Sequence, residues 1–94
     1  MKISEIINVL GQSLSELTHK PYLACKGLIR IAFNDDGFQG KLNYNQVNYN
    51  DTVFVLKNAL KRRLEIINIE YVDDTIDSLI QIITKTQSIF TMSR

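Results

Sequence analysis

His19 and Cys25 are the single histidine and the single cysteine of this 94-residue chain, six positions apart across Pro21. A thiol and an imidazole are the parts of a nucleophilic pair, provided the base comes within hydrogen-bond reach of the sulfur. The spacing permits that only if the chain folds back at Pro21. The structural assignment is simpler: His19 at a helix end interacts favourably with the last carbonyls, and Cys25 is a small buried hydrophobe.

A second group, Glu70, Asp73, Asp74 and Asp77, carries the oxygen ligands a hard cation wants. It lacks the alternating acidic positions, the glycine and the distal glutamate of a calcium loop. Helix capping accounts for Asp74 and Asp77 instead. Gly11, Gly27, Gly37 and Gly40 match neither the phosphate-binding loop nor the dinucleotide fingerprint. No catalytic residue, cofactor or metal site is therefore assigned, and the chain reads as a non-enzyme.

The most distinctive charged feature is Lys57, Lys61, Arg62 and Arg63, joined by Arg30 and Lys41 on a predicted hairpin. Lys57 and Lys61 lie one helical turn apart, so a helix here presents a basic ridge that phosphates could meet. Eleven Lys and Arg against ten Asp and Glu leave a net charge of +1, which gives no global basic field. Cations at the end of a helix are also what its dipole favours. Nucleic-acid binding through Lys57, Lys61, Arg62 and Arg63 is accordingly the second reading.

These side chains need elements to hold them. Ile3, Ile6, Ile7, Leu10, Leu14 and Leu17 share one stripe of a helix, which should end near 18–20 because Pro21 cannot continue it. Gly11 inside it implies close packing against another element. From Leu28 the period reads as two: Ile29, Ile31 and Phe33, then Asn34-Asp35-Asp36-Gly37, then Phe38, Gly40, Leu42 and Tyr44. Asp36-Gly37 suits a two-residue hairpin turn that puts every large apolar residue on one side. The Asn-rich segment 43–51 reads as a connection, with Asn50 or Asp51 as the cap of a second helix over 51–63.

The segment 65–72 fits both periods. Ile67, Ile69 and Tyr71 alternate and β-branched residues favour a strand, yet Leu60, Leu64, Ile67 and Tyr71 also fall at helical spacing. With the strand, and a third helix capped by Asp73 or Asp74, the expectation is a single α+β domain over 1–94. Its order is α-β-β-α-β-α, a three-stranded mainly antiparallel sheet with helices on one face. The alternative is a mostly helical domain with one β-hairpin.

A lone cysteine excludes an internal disulfide and suits a reducing compartment. No apolar run approaches the roughly 20 residues of a membrane span, and Ser4, Glu5 and Asn8 interrupt any signal-peptide pattern. The expected location is cytoplasmic. Thirteen Ile and eight Asn hint at AT-rich coding, as in some phages and mobile elements.

The first functional expectation is a non-enzymatic protein-interaction module, such as a small accessory, inhibitor or immunity-type protein. Its contact surface is the uncovered sheet face, with Arg30, Ala32, Gln39, Lys41, Asn43, Ile66, Asn68 and Glu70, together with the segment 43–51. Arg30, Lys41, Asn43, Asn45 and Tyr49 are the expected partner-binding residues. An open outer strand also offers a homodimer contact.

Overall fold

A computed structural model describes residues 3–35 and 48–86. They fold as four helices: α1 (Ile3–Thr18), α2 (Tyr22–Asp35), α3 over 49–66 and α4 (Val72–Lys85). Within α3, α-helical turns Tyr49–Val55 and Lys61–Ile66 flank a π-helical segment, Leu56–Leu60. There is no strand among the described residues, so the expected α+β sheet is corrected to an all-helical fold. The edge-strand route to a homodimer goes with it. The second half of the expected hairpin, 36–47, lies outside the described residues.

The strand over 28–33 fails for a physical reason. Cys25, Leu28, Ile29, Ala32 and Phe33 recur at i, i+3, i+4, i+7 and i+8, and Cys25, Ile29, Ala32 and Phe33 are buried while Ile31 is 43% exposed. That is a helical stripe. Pro21 both stops α1 and opens α2, its carbonyl accepting from the Cys25 N–H (3.1 Å) to close the first turn. The α1–α2 packing is close. A Cβ at Gly11 would lie 3.0 Å from Lys26 Cα, which bears out the reading of Gly11 as a close-approach position.

The strand over 65–72 is corrected in the same way. α3 runs on to Ile66 and ends in a Schellman motif: the Ile69 N–H donates to the Leu64 carbonyl and the Asn68 N–H to the Glu65 carbonyl, each 3.1 Å. Asn68 supplies the left-handed residue (φ 60°), and Ile69 returns to pack on the core. α3 also begins earlier than expected. Its cap is Asn48, whose Oδ1 accepts from the Asp51 N–H at 2.7 Å, rather than Asn50 or Asp51. α4 is capped by Tyr71 with no side-chain hydrogen bond, and Asp73 and Asp74 lie inside its first turn.

The core joins Ile6, Leu10 and Leu14 of α1, Ile29 and Phe33 of α2, Leu56, Leu60 and Leu64 of α3, and Leu79 and Ile83 of α4. α3 and α4 run antiparallel, because Tyr49 at the start of α3 meets Thr84 near the end of α4 while Lys61 meets Asp73. Among the described residues, no helix is long and apolar enough to cross a membrane.

Candidate functional site

The expected basic ridge divides between two structural jobs. Arg63 grips Asp35 at the end of α2 with two bonds, Nε to Oδ2 at 2.7 Å and Nη2 to Oδ1 at 3.0 Å. That hydrogen-bonded pairing holds the Asp35 carboxyl below its ordinary value; desolvation opposes it, and the Arg63 and Arg62 charges add to the lowering. Lys61 Nζ lies 3.0 Å from Asp73 Oδ1 on α4, and this contact raises its pKa. Lys57 and Lys61 line a shallow groove of about 370 Å³ with Asp73, Ile76 and Asp77, where acidic residues face the two cations. Arg62 is exposed. Two of the four cations thus fasten α3 to its neighbours, and the four do not form one row open to phosphates.

The expected partner-binding residues also scatter. Arg30 is exposed on α2, while Ala32 beside it is fully buried. Lys41, Asn43 and Asn45, with Gln39, lie outside the described residues. Tyr49 is structural: Thr84 Oγ1 gives its proton to the Ile80 carbonyl, so the Tyr49 hydroxyl donates to Thr84 Oγ1 (2.8 Å) and ties α3 to α4.

Cys25 is fully buried, with its sulfur near Thr18 Oγ1 (3.8 Å) and the Lys20 carbonyl (3.9 Å), and His19 is exposed. A thiol without access to solvent has no route to a substrate, so the hydrophobe reading holds. Among the described residues, no group of three or more His, Cys, Asp or Glu side chains comes together to hold a metal.

What the helices do bring together is one end of the bundle. The α1–α2 connection (17–20) and the α3–α4 turn (68–71), with Thr75, line a cleft of about 500 Å³. The three non-glycine residues with positive φ, among those described, all line it: His19 (58°), Asn68 (60°) and Tyr71 (56°). Two of them have ordinary explanations. His19 terminates α1, its N–H donating to the Ser15 carbonyl at 2.9 Å, and Asn68 terminates α3.

Tyr71 is different. An N-cap residue normally takes an extended backbone, and an aromatic residue held at φ 56°, ψ 46° bears a cost of about 1–2 kcal/mol. Its side chain recovers little of that by packing, being 75% exposed. Leu17, in the same cleft, is 41% exposed, and in the chain before the turn Ile66 is 71% and Ile67 40% exposed. Lys20 and His19 border the cleft on one side and Glu70 on the other.

The cleft with its exposed Tyr71 is not legible in the sequence, because reading 65–72 as a strand leaves no turn there to build it. The signal that would have found it is Asn68, a left-handed helix stop placed among β-branched residues. Comparisons with protein-family models, curated proteins and solved structures give no significant match.

Proposed function

We propose that this chain is a non-enzymatic protein-interaction module that docks a partner through the end of the bundle formed by 17–20 and 66–71, in a cytoplasmic setting. The observation that carries the reading is Tyr71, a largely exposed ring held in a strained left-handed backbone. Strain that its own fold does not repay is expected where a residue serves a contact outside the fold. Its surroundings suit that role. Tyr is enriched among residues that dominate interface energy, Leu17 lines the same cleft with Lys20, Asn68 and Glu70, and the chain leading into the turn adds the exposed Ile66 and Ile67. An inhibitor, accessory or immunity-type protein works through such a surface and needs no reacting group.

The nucleic-acid reading loses support from the ion pairs that engage Lys61 and Arg63. The two readings separate in one experiment: capture on the tagged chain from lysate of its source cells, with nuclease, beside the Tyr71→Ala variant. A stoichiometric protein bound to the wild type and lost from the variant is the expected result. Material released by nuclease and indifferent to Tyr71 overturns the reading.

A further inference from the structure

Threonine hydroxyls among the described residues follow one rule with one exception. Thr18, Thr52, Thr84 and Thr86 each donate to a carbonyl three or four residues back, at 2.7–3.0 Å. Thr75 does not. Its N–H closes the first turn of α4 onto the Tyr71 carbonyl at 2.9 Å, while its hydroxyl has no protein partner among the described residues. Yet Thr75 is only 8% exposed, and it lines the cleft at the end of the bundle. A buried hydroxyl left without a hydrogen bond destabilises a fold, and folded proteins satisfy nearly all such groups. This one has its donor and its acceptor capacity open toward whatever enters the cleft.

The remaining lining is mixed in charge rather than of one sign. Lys20 and His19 border the cleft, Glu70 brings an exposed carboxylate, and Leu17 and Tyr71 bring exposed apolar surface. A purely anionic ligand leaves Glu70 opposed to it, and a purely cationic one leaves Lys20 opposed. A ligand that carries both charges close together satisfies both. The volume of about 500 Å³ falls in the range of sites that take small molecules.

We propose that this cleft binds a small zwitterion, an α-amino acid with an apolar or aromatic side chain. Its carboxylate accepts from the Thr75 hydroxyl and is balanced by Lys20, its ammonium meets Glu70, and its side chain lies against Leu17 and Tyr71. The proposal goes beyond the docking of a protein at the same end of the bundle, and it rests on the Thr75 hydroxyl rather than on the Tyr71 backbone.

Titration of the isotope-labelled full chain with L-phenylalanine, followed by amide NMR shifts, tests it beside 3-phenylpropionate and phenethylamine, which each lack one of the two charges. Saturable shifts at Lys20, Glu70 and Thr75 with L-phenylalanine are expected, with the other two probes at least about tenfold weaker. Thr75→Val keeps the shape of the side chain and removes the hydroxyl. It should weaken L-phenylalanine at least about tenfold while leaving the melting temperature unchanged or higher, because no bond within the fold is lost. Glu70→Gln, at an exposed side chain, should weaken L-phenylalanine and leave 3-phenylpropionate unaffected. The absence of saturable shifts, equal binding of all three probes, or a Thr75→Val chain that binds as wild type overturns the proposal. So does a melting temperature lowered by Thr75→Val, which would make the hydroxyl a structural group. A silent cleft in a chain from which Tyr71→Ala still removes a captured protein overturns this proposal alone and leaves the docking surface standing; amino-acid binding by a chain that captures no protein does the reverse.

Discussion

Replacing Tyr71 by glycine and by alanine separates the cost of its backbone from the use of its ring. Both substitutions remove the ring, three-quarters of which is exposed, so the lost packing is the same and modest in each. Alanine keeps a Cβ in the left-handed conformation at φ 56° and retains the strain of about 1–2 kcal/mol. Glycine relieves it but gives the unfolded chain more freedom, which offsets about 0.4–1 kcal/mol. The glycine variant should therefore be more stable than the alanine variant by about 0.5–1 kcal/mol. For a domain of this size that is a difference in melting temperature of roughly 2–8 °C, measurable by calorimetry and by urea titration. Against wild type the glycine variant should be close to neutral, because relief of strain offsets the lost packing. Both variants should lose partner binding alike. Equal stabilities for glycine and alanine would refute the left-handed assignment; a loss above about 2 kcal/mol in both would make the ring a structural residue and remove the reason to give it a contact outside the fold.

Three further outcomes follow from named contacts. Gly11→Ala should lower the urea midpoint, because overpacking costs about 1–3 kcal/mol and the approached Lys26 atoms include rigid backbone; a gain of about 1 kcal/mol in helix propensity only partly offsets this. Gly27→Ala should raise the midpoint instead, since nothing crowds that site. The Asp35 carboxyl titrates below its unfolded value, so its stabilisation is present above the ordinary carboxylate range and disappears as pH falls through the depressed value. Asp35→Asn should be less stable than wild type at neutral pH and converge with it as the pH falls below the depressed Asp35 value, as read from urea midpoints across the acid limb.

Legibility differed sharply along the chain. α1 was readable to its boundaries because six apolar residues share one stripe over four turns and Pro21 ends it; Ile6, Ile7, Leu10 and Leu14 are indeed buried, though Leu17 is 41% exposed. α3 and α4 were readable as helices, with the start of α3 misplaced because three successive candidates, Asn48, Asn50 and Asp51, offer side-chain oxygens. α2 was missed. Five residues such as Ile29 to Phe33 satisfy both periods at once, and only the longer window from Cys25 distinguishes them. At 65–72 β-branched content outweighed local stop chemistry, although propensity is the weaker guide where a left-handed asparagine can close a helix. The π-helical turn at Leu56–Leu60 has no counterpart in apolar spacing; it lets Val55, Leu56, Ala59 and Leu60 all reach the core. The candidate site was illegible for the same reason as the turn that builds it. The cations were readable as a cluster, but their partners Asp35 and Asp73 come from other helices and emerge only with the tertiary fold.

Photo-crosslinking in living source cells tests docking through the tip most directly. A photoreactive phenylalanine analogue placed at position 71 keeps an exposed ring at the tip, and the same analogue at Gln81, an exposed position well along α4, serves as the control. One discrete adduct from position 71 and none from position 81 is the expected result. No discrete adduct from position 71, or the same adduct from both positions, would contradict docking through this end of the bundle.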